Sequence, residues 1–355
     1  MNKVMIHPAT YETCRKAVDR AFEIFSLEVS GKNIMVKPNA LRASEADQGV
    51  VTHPALVKAV VEKLETLSPK TIVVGDNPGM MSYGANEKTF DQTGLMAASK
   101  GYYRNIGTDI VQVDFNPKFI KQLGISRAII EADIVISLPK FKTHGLTIVS
   151  GAIKNSYGYI PGAMKANLHR IAGNSVRFSE MLVDVFRLKV PHLFIVDAIV
   201  GMEGNGPAST DLRQVNRILA ADNGVALDAT IARMMGINPK DLPFLKIAQQ
   251  RGLGDFDASA IDIIGDLVPI PDFKLPPLAG TANDIPTGEG VFFESRIRVR
   301  PKADKTLCTA CGTCIDQCPV SALSMVNDLP IVDPERCITC FCCQEMCPEM
   351  AIKLL

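Results

Sequence analysis

Along the first 300 residues, short apolar runs alternate with longer stretches in which apolar side chains recur every three or four positions. The runs predict strands at Asn33–Val36, Thr71–Gly75, Ile110–Val113, Asp133–Ser137, Leu193–Asp197, Arg217–Ala221 and Ala260–Ile264. The longer period predicts helices at Tyr11–Val29, Pro54–Leu67, Val176–Leu188, Val225–Met235 and Pro243–Arg251. Thr52 can cap the second of these, and Pro54 suits a first helical turn. Such alternation predicts an α/β fold with a mainly parallel sheet flanked by helices.

Several predicted strands run into a polar or acidic residue: Asp76, Ser137, Asp197, Asp222 and Asp266. Ligands of open α/β sheets sit beyond the carboxyl ends of the strands, which directs attention to Gly75–Gly84, Ser137–Gly145 and Asp197–Pro207. Their glycines also have a plainer use, which is to supply positive φ angles. Pro269–Gly280 is proline-rich and reads as an extended linker or strap, and Gly288–Arg300 reads as a returning strand pair. The expected organisation is therefore an α/β domain over 1–290 and a second domain over 291–355.

That second domain is where the cysteines lie. The chain has ten, and nine fall between Cys308 and Cys347. Cys308, Cys311, Cys314 and Cys318 precede Pro319, and Cys337, Cys340, Cys343 and Cys347 precede Pro348. Both groups spell C-x2-C-x2-C-x3-C-P. Three cysteines at this spacing wrap a tight loop around an iron–sulfur cube, and the fourth reaches the other cube when the motif is duplicated. The spacing thus assigns Cys308, Cys311, Cys314 and Cys347 to one [4Fe–4S] cluster, and Cys318, Cys337, Cys340 and Cys343 to a second. A disulfide framework would need an oxidising compartment, and a duplicated four-cysteine pattern with trailing prolines is not the usual one for structural zinc. Cys342 reads as a packed thiol beside the second group, and Cys14 as a core residue of a helix. Residues 302–355 resemble the bacterial two-cluster ferredoxins, which implies a small pseudo-twofold fold and low-potential one-electron transfer.

The densest remaining chemistry lies in Ser137–Arg170, which holds Lys140, Lys142, Lys154, Lys165, His144 and His169. Lysines beside glycine-rich turns suit a carboxylate or phosphate, and histidine can move a proton near neutral pH. Their interleaving with Leu, Ile, Val, Tyr and Met points to a lined pocket, whereas a solvated basic face is the plainer reading. Val36–Ala40, Thr52–Ala55, Gly75–Gly79, Leu138–His144, Gly151–Gly158 and Asp197–Pro207 resemble the DUF362 family of uncharacterised proteins, over about residues 2–290. Members of that family often carry a ferredoxin tail, and the resemblance implies architecture more than reaction. The same segment has a shorter likeness to the nickel-pincer lactate racemases: His144, then Lys154 ten residues on, then Pro161–Gly162 and His169. That likeness implies proton transfer at His144 and cofactor binding at Lys154 and His169.

Composition narrows the partners. Lys and Arg together number 38, as do Asp and Glu, so no overall charge draws the chain to nucleic acid or an acidic membrane. No run of about 18 uncharged apolar residues occurs, and no secretory signal is read at the start, so a cytoplasmic protein is expected. Residues 302–355 carry a net charge of −3 against +3 for the rest, compatible with the tail docking on its own body.

Three functions follow as expectations. In the first, the clusters pass single electrons to or from a small anionic substrate or cofactor held near Lys37, Asn39, Asp76, Lys140, Lys142, Asn155, Glu203 and Asn205, with His144, Lys154 and His169 as catalytic groups and a redox partner protein. In the second, the protein is a non-enzymatic carrier or scaffold. In the third, it is racemase-like, with structural clusters.

Overall fold

In the central strands, consecutive residues bury against opposite sides of one sheet. Ile34 and Val36 pack with the layer containing the Cys14–Ile24 and Pro54–Glu65 helices, while Met35 between them packs with the layer containing Ser175–Leu188 and Gly224–Met234. The same alternation holds for Ile134, Val135 and Ile136, and for Phe194, Ile195 and Val196. A strand covered by helices on both faces must be apolar throughout, which is why these segments read as unbroken hydrophobic runs.

The structure, a computed structural model, describes residues 1–79, 84–276 and 300–355. In chain order the strands before the tail are β1 (Asn2–Pro8), β2 (Asn33–Pro38), β3 (Thr71–Val74), β4 (Ile110–Asp114), β5 (Gln122–Ser126), β6 (Ile134–Leu138), β7 (Lys140–His144), β8 (Ile148–Ser150), β9 (Leu193–Met202), β10 (Leu212–Ala221) and β11 (Ile261–Ile264). One nine-stranded sheet has the order β11-β1-β10-β9-β6-β2-β3, with β7 joined to β9 and β8 to β7. The β3–β2–β6–β9 run is parallel, as are β7–β9 and β1–β11, whereas β10 lies antiparallel to β9 and β1. The fold is α/β with a mainly parallel sheet.

Several expectations need correction. The strand at Ile110–Val113 is not in the main sheet: β4 and β5 form a separate antiparallel hairpin. The first helix runs only from Cys14 to Ile24, because a Thr10–Thr13 turn precedes it and Phe25 and Val29 leave it to enter the core. Ser137–Gly145, expected as a loop, contains β7. Every residue of β7 is buried, its lysines find internal partners, and its backbone joins β9. Residues 269–276 carry no regular structure, and Phe273 packs edge-on against Phe141 at 5.9 Å. The expected strand pair at Gly288–Arg300 falls, but for Arg300, outside the described residues.

The tail repeats itself in backbone as in sequence. Thr313–Asp316 and Cys342–Met346 are its two short helices, Leu323–Val326 pairs with Leu329–Val332, and Pro301–Ala303 pairs with Ile352–Leu354. Left-handed φ angles recur at matching places: Ala310 and Thr339, Gly312 and Phe341, Ser321 and Met350. The sulfurs of Cys318 and Cys347 accept N–H bonds from Ala322 and Ala351, each four residues on.

Candidate functional site between body and tail

The tail encloses two cavities, each lined by four cysteines. Cys308, Cys311, Cys314 and Cys347 surround about 320 Å³, and Cys318, Cys337, Cys340 and Cys343 surround about 330 Å³. Each set takes three cysteines from one motif and the fourth from the other. Four thiolates around one cavity are the donor set that holds a four-iron cube. The residues present therefore fit such a group in both places.

The second motif presses against the α/β body. The buried Phe341 occupies the place of Gly312 in the first motif, and its ring lies where a side chain at Gly145 would stand, 3.0 Å from that Cβ position. A β-carbon on Gly79 would come within 2.6 Å of Met346. Gln344 donates from Nε2 to the carbonyl of Asn205 at 2.5 Å. His144 Nε2 lies 3.2 Å from Glu345 Oε1, and both residues are buried. Burial pushes the imidazole down to about 4, helped by the Lys154 charge, although Glu345 opposes this. The N–H of Leu146 donates to His144 Nδ1 at 3.0 Å. The ring is thus uncharged at neutral pH, with Nε2 facing the Glu345 carboxylate across 3.2 Å without forming an aligned hydrogen bond.

Between body and tail lies a cavity of about 580 Å³. The body supplies Asn39, Asp76, Lys154, Asn155, Tyr157, Lys165 and His169, and the tail supplies Gln317, Cys342, Glu345 and Met346. Lys154 Nζ stands over the rings of Tyr157 and Phe178, at 5.0 and 5.9 Å. It makes no ion pair or hydrogen bond with any described residue. Burial lowers its pKa, while Glu345 and Cys342 work to hold the proton. His169 stacks on Phe178 at 4.5 Å. Lys165 donates to the carbonyls of Asn77 and Pro78, and burial brings it down to about 7. Cys342 lines the cavity, and the neighbouring Cys340 of the second cysteine set, together with burial, holds its thiol well above the usual range.

Of the residues expected to bind or act, Asn39, Asp76, Lys154, Asn155 and His169 meet at this cavity. The others do not line it. Lys37 is buried against Asp76 at 2.8 Å, and the pair leaves room only for a glycine at 158, where a Cβ would fall 2.0 Å from the Asp76 carboxylate. Lys140 pairs with Asp197 at 2.7 Å. Lys142 donates to the carbonyl of Val50 at 2.8 Å. Glu203 binds Arg213 at 3.1 Å and the N–H of Lys274. Asn205 and His144 serve the contact with the tail. These lysines suggested a ligand by their charge, but the fold neutralises two of them with its own carboxylates. Sequence reasoning left out Tyr157, Gln317 and Glu345 as lining residues, because only the docking of the tail brings them together.

Fold and cysteine geometry define an α/β protein that carries a carboxyl-terminal 4Fe–4S ferredoxin-type domain. The chain belongs to the DUF362 family: that domain of unknown function matches residues 34–233. A 4Fe-4S dicluster domain matches residues 300–348, which makes this an iron–sulfur protein. Among curated proteins, the thylakoid-associated protein sll1697 of Synechocystis sp. (strain ATCC 27184 / PCC 6803 / Kazusa) is 30% identical over 231 residues, covering 63% of this chain and 69% of its own. Two solved structures are more distant. The lactate racemase apoprotein of Thermoanaerobacterium thermosaccharolyticum aligns over 66% of this chain and 57% of its own, at 11% identity and a TM-score of 0.45. A Thermotoga maritima protein aligns over 69% and 59%, at 12% identity and a TM-score of 0.41. The chain spans less than two thirds of either. Among the described residues, no helix is long and apolar enough to cross a membrane.

Proposed function

We propose that this is a redox protein whose tail holds two [4Fe–4S] clusters and exchanges single electrons with a small anion bound between tail and body. When bound, such clusters supply low-potential one-electron chemistry. One observation carries the reading. The cavity has on its body wall an ammonium with no anionic partner, Lys154, and on its tail wall a thiol beside Cys340 of the second cysteine set, Cys342. Lys154 would hold the anion, its attraction for a negative charge strengthened by low-dielectric surroundings. The aromatic floor of Tyr157 and Phe178 favours the cation and excludes water. His169, ring-stacked on that floor, is placed to give or take a proton. A redox partner protein and a reducing cytoplasmic compartment belong to the same reading.

The test is a thermal-shift screen of simple mono- and dicarboxylates and inorganic phosphate on anaerobic full-length protein. A ligand that binds only the native state raises Tm, by an amount equivalent to about 2.7 kcal/mol at a hundred times Kd. At least one anion should raise the wild-type Tm and leave Lys154→Ala unmoved, with the iron content of both near eight per chain, as expected for two four-iron cubes. Equal shifts in the two proteins would remove Lys154 from the site. Silence across the panel would favour a carrier or scaffold.

A second reading draws on Lys154 and His169 lining one cavity together, as a pincer-type cofactor would need. Nickel at a site other than the cysteines would favour it, and iron as the sole metal would count against it.

A further inference from the structure

The fourth cysteines of the two motifs are held alike within the tail, since Cys318 and Cys347 each accept one N–H bond from the residue four positions on. The body breaks that equivalence at Arg42. Its side chain is only 2% exposed, and a single hydrogen bond, from Nη1 to the carbonyl of Ala43 at 3.1 Å, accounts for its polar contacts. Nε and Nη2 are buried and have no partner among the described residues. A buried guanidinium with two idle donors is costly unless a negative charge lies within reach.

The neighbourhood identifies that charge. The carbonyl of Leu41 accepts from Gly79 at 2.8 Å, and Gly79 in turn packs on Met346, the residue before Cys347. That contact brings the Arg42 segment up to the chain at Met346–Cys347, and Cys347 and Glu349 oppose the downward pull of burial on the Arg42 pKa. Glu349 is exposed, which leaves Cys347 as its buried counterpart. Cys347 lines the first cysteine cavity with Cys308, Cys311 and Cys314.

We propose that Arg42 is a positioning residue of the α/β body that sets the reduction potential of the cluster held by Cys308, Cys311, Cys314 and Cys347, keeping it above the value that the tail alone would give. The potential of an iron–sulfur site follows its net charge, the hydrogen bonds to its sulfurs and its exposure. A fixed positive charge beside Cys347 favours the more negative, reduced form and therefore raises the potential. The inference rests on the two-cluster reading but not on the anion site, so failure of the carboxylate screen leaves it standing.

The experiment is an EPR-monitored redox titration of the anaerobic full-length protein, with iron content as control. Arg42→Gln should lower the midpoint of one cluster and move the other much less, with iron unchanged. Arg42→Lys keeps the charge but loses the forked donors, so it should shift the same midpoint in the same direction by a smaller amount. If Arg42→Gln loses iron, Arg42→Lys decides: a lowered single midpoint supports the proposal. Two midpoints equal to wild type in an iron-replete variant overturn it, as do two midpoints that move together. A protein with only one titrating iron centre overturns the two-cluster reading itself.

Discussion

The two cysteine loops of the tail share a spacing and a backbone, yet they lead different lives. In the first, Cys311 is exposed, Gly312 occupies the left-handed position, and Thr313, Ile315 and Asp316 follow. In the second, Phe341, Cys342, Gln344 and Glu345 occupy the matching places and all are buried against the body. Phe341 keeps the left-handed φ of 61° that glycine would adopt freely. A bulky residue held there stores strain, of order 1 kcal/mol, which the buried ring must outweigh. The ligand spacing says what each loop holds, and the residues between the ligands say where the loop docks.

Making the second loop resemble the first should have the largest effect. Phe341→Gly removes a buried ring, worth roughly 3–5 kcal/mol, and relieves roughly 1 kcal/mol of strain. Denaturant unfolding should show a net loss of about 2–4 kcal/mol, with early proteolysis between body and tail. The His144–Glu345 contact comes next. His144→Phe leaves a buried carboxylate facing an apolar ring, at a cost of about 1–3 kcal/mol by the same measurement. Asp316→Ala, at the exposed position matching Glu345, should stay within about 0.5 kcal/mol.

The cavity wall supplies a pH test. Lys165 is held down to about 7 in the fold, against 10.5 ordinarily. It is therefore charged below pH 7 and neutral above, so anion binding should weaken as pH rises through 7, with Kd growing up to about tenfold per unit above it. Lys165→Met should flatten that dependence. The same depression makes the native state bind fewer protons than the unfolded chain between about 7 and 10.5, so this group's penalty on stability eases as pH rises across that window.

Much of this was legible in the sequence. The sorting of the cysteines around the two cavities was legible from their spacing, three from one motif and the fourth from the other. The β2, β6 and β9 runs were legible because their stretches covered on both faces, Ile34–Val36, Ile134–Ile136 and Leu193–Val196, are apolar without a break. β7 was hidden, since Lys140 and Lys142 look like solvated loop residues until Asp197 and the Val50 carbonyl are seen to accept their hydrogen bonds. Arg42 and Glu345 were hidden for another reason. Each gains its meaning from a partner some 200 or more residues away, across a contact that no local period encodes.

The reading comes down to an anion bound beside one of two inequivalent iron centres. The most direct measurement is the EPR spectrum of the anaerobically reduced full-length protein, with and without a carboxylate that raises its Tm. The account predicts that the carboxylate alters the signal of one centre, the one bounded by Cys340 and its neighbour Cys342, and that Lys154→Ala abolishes the change. A carboxylate that binds and leaves both signals untouched would contradict it.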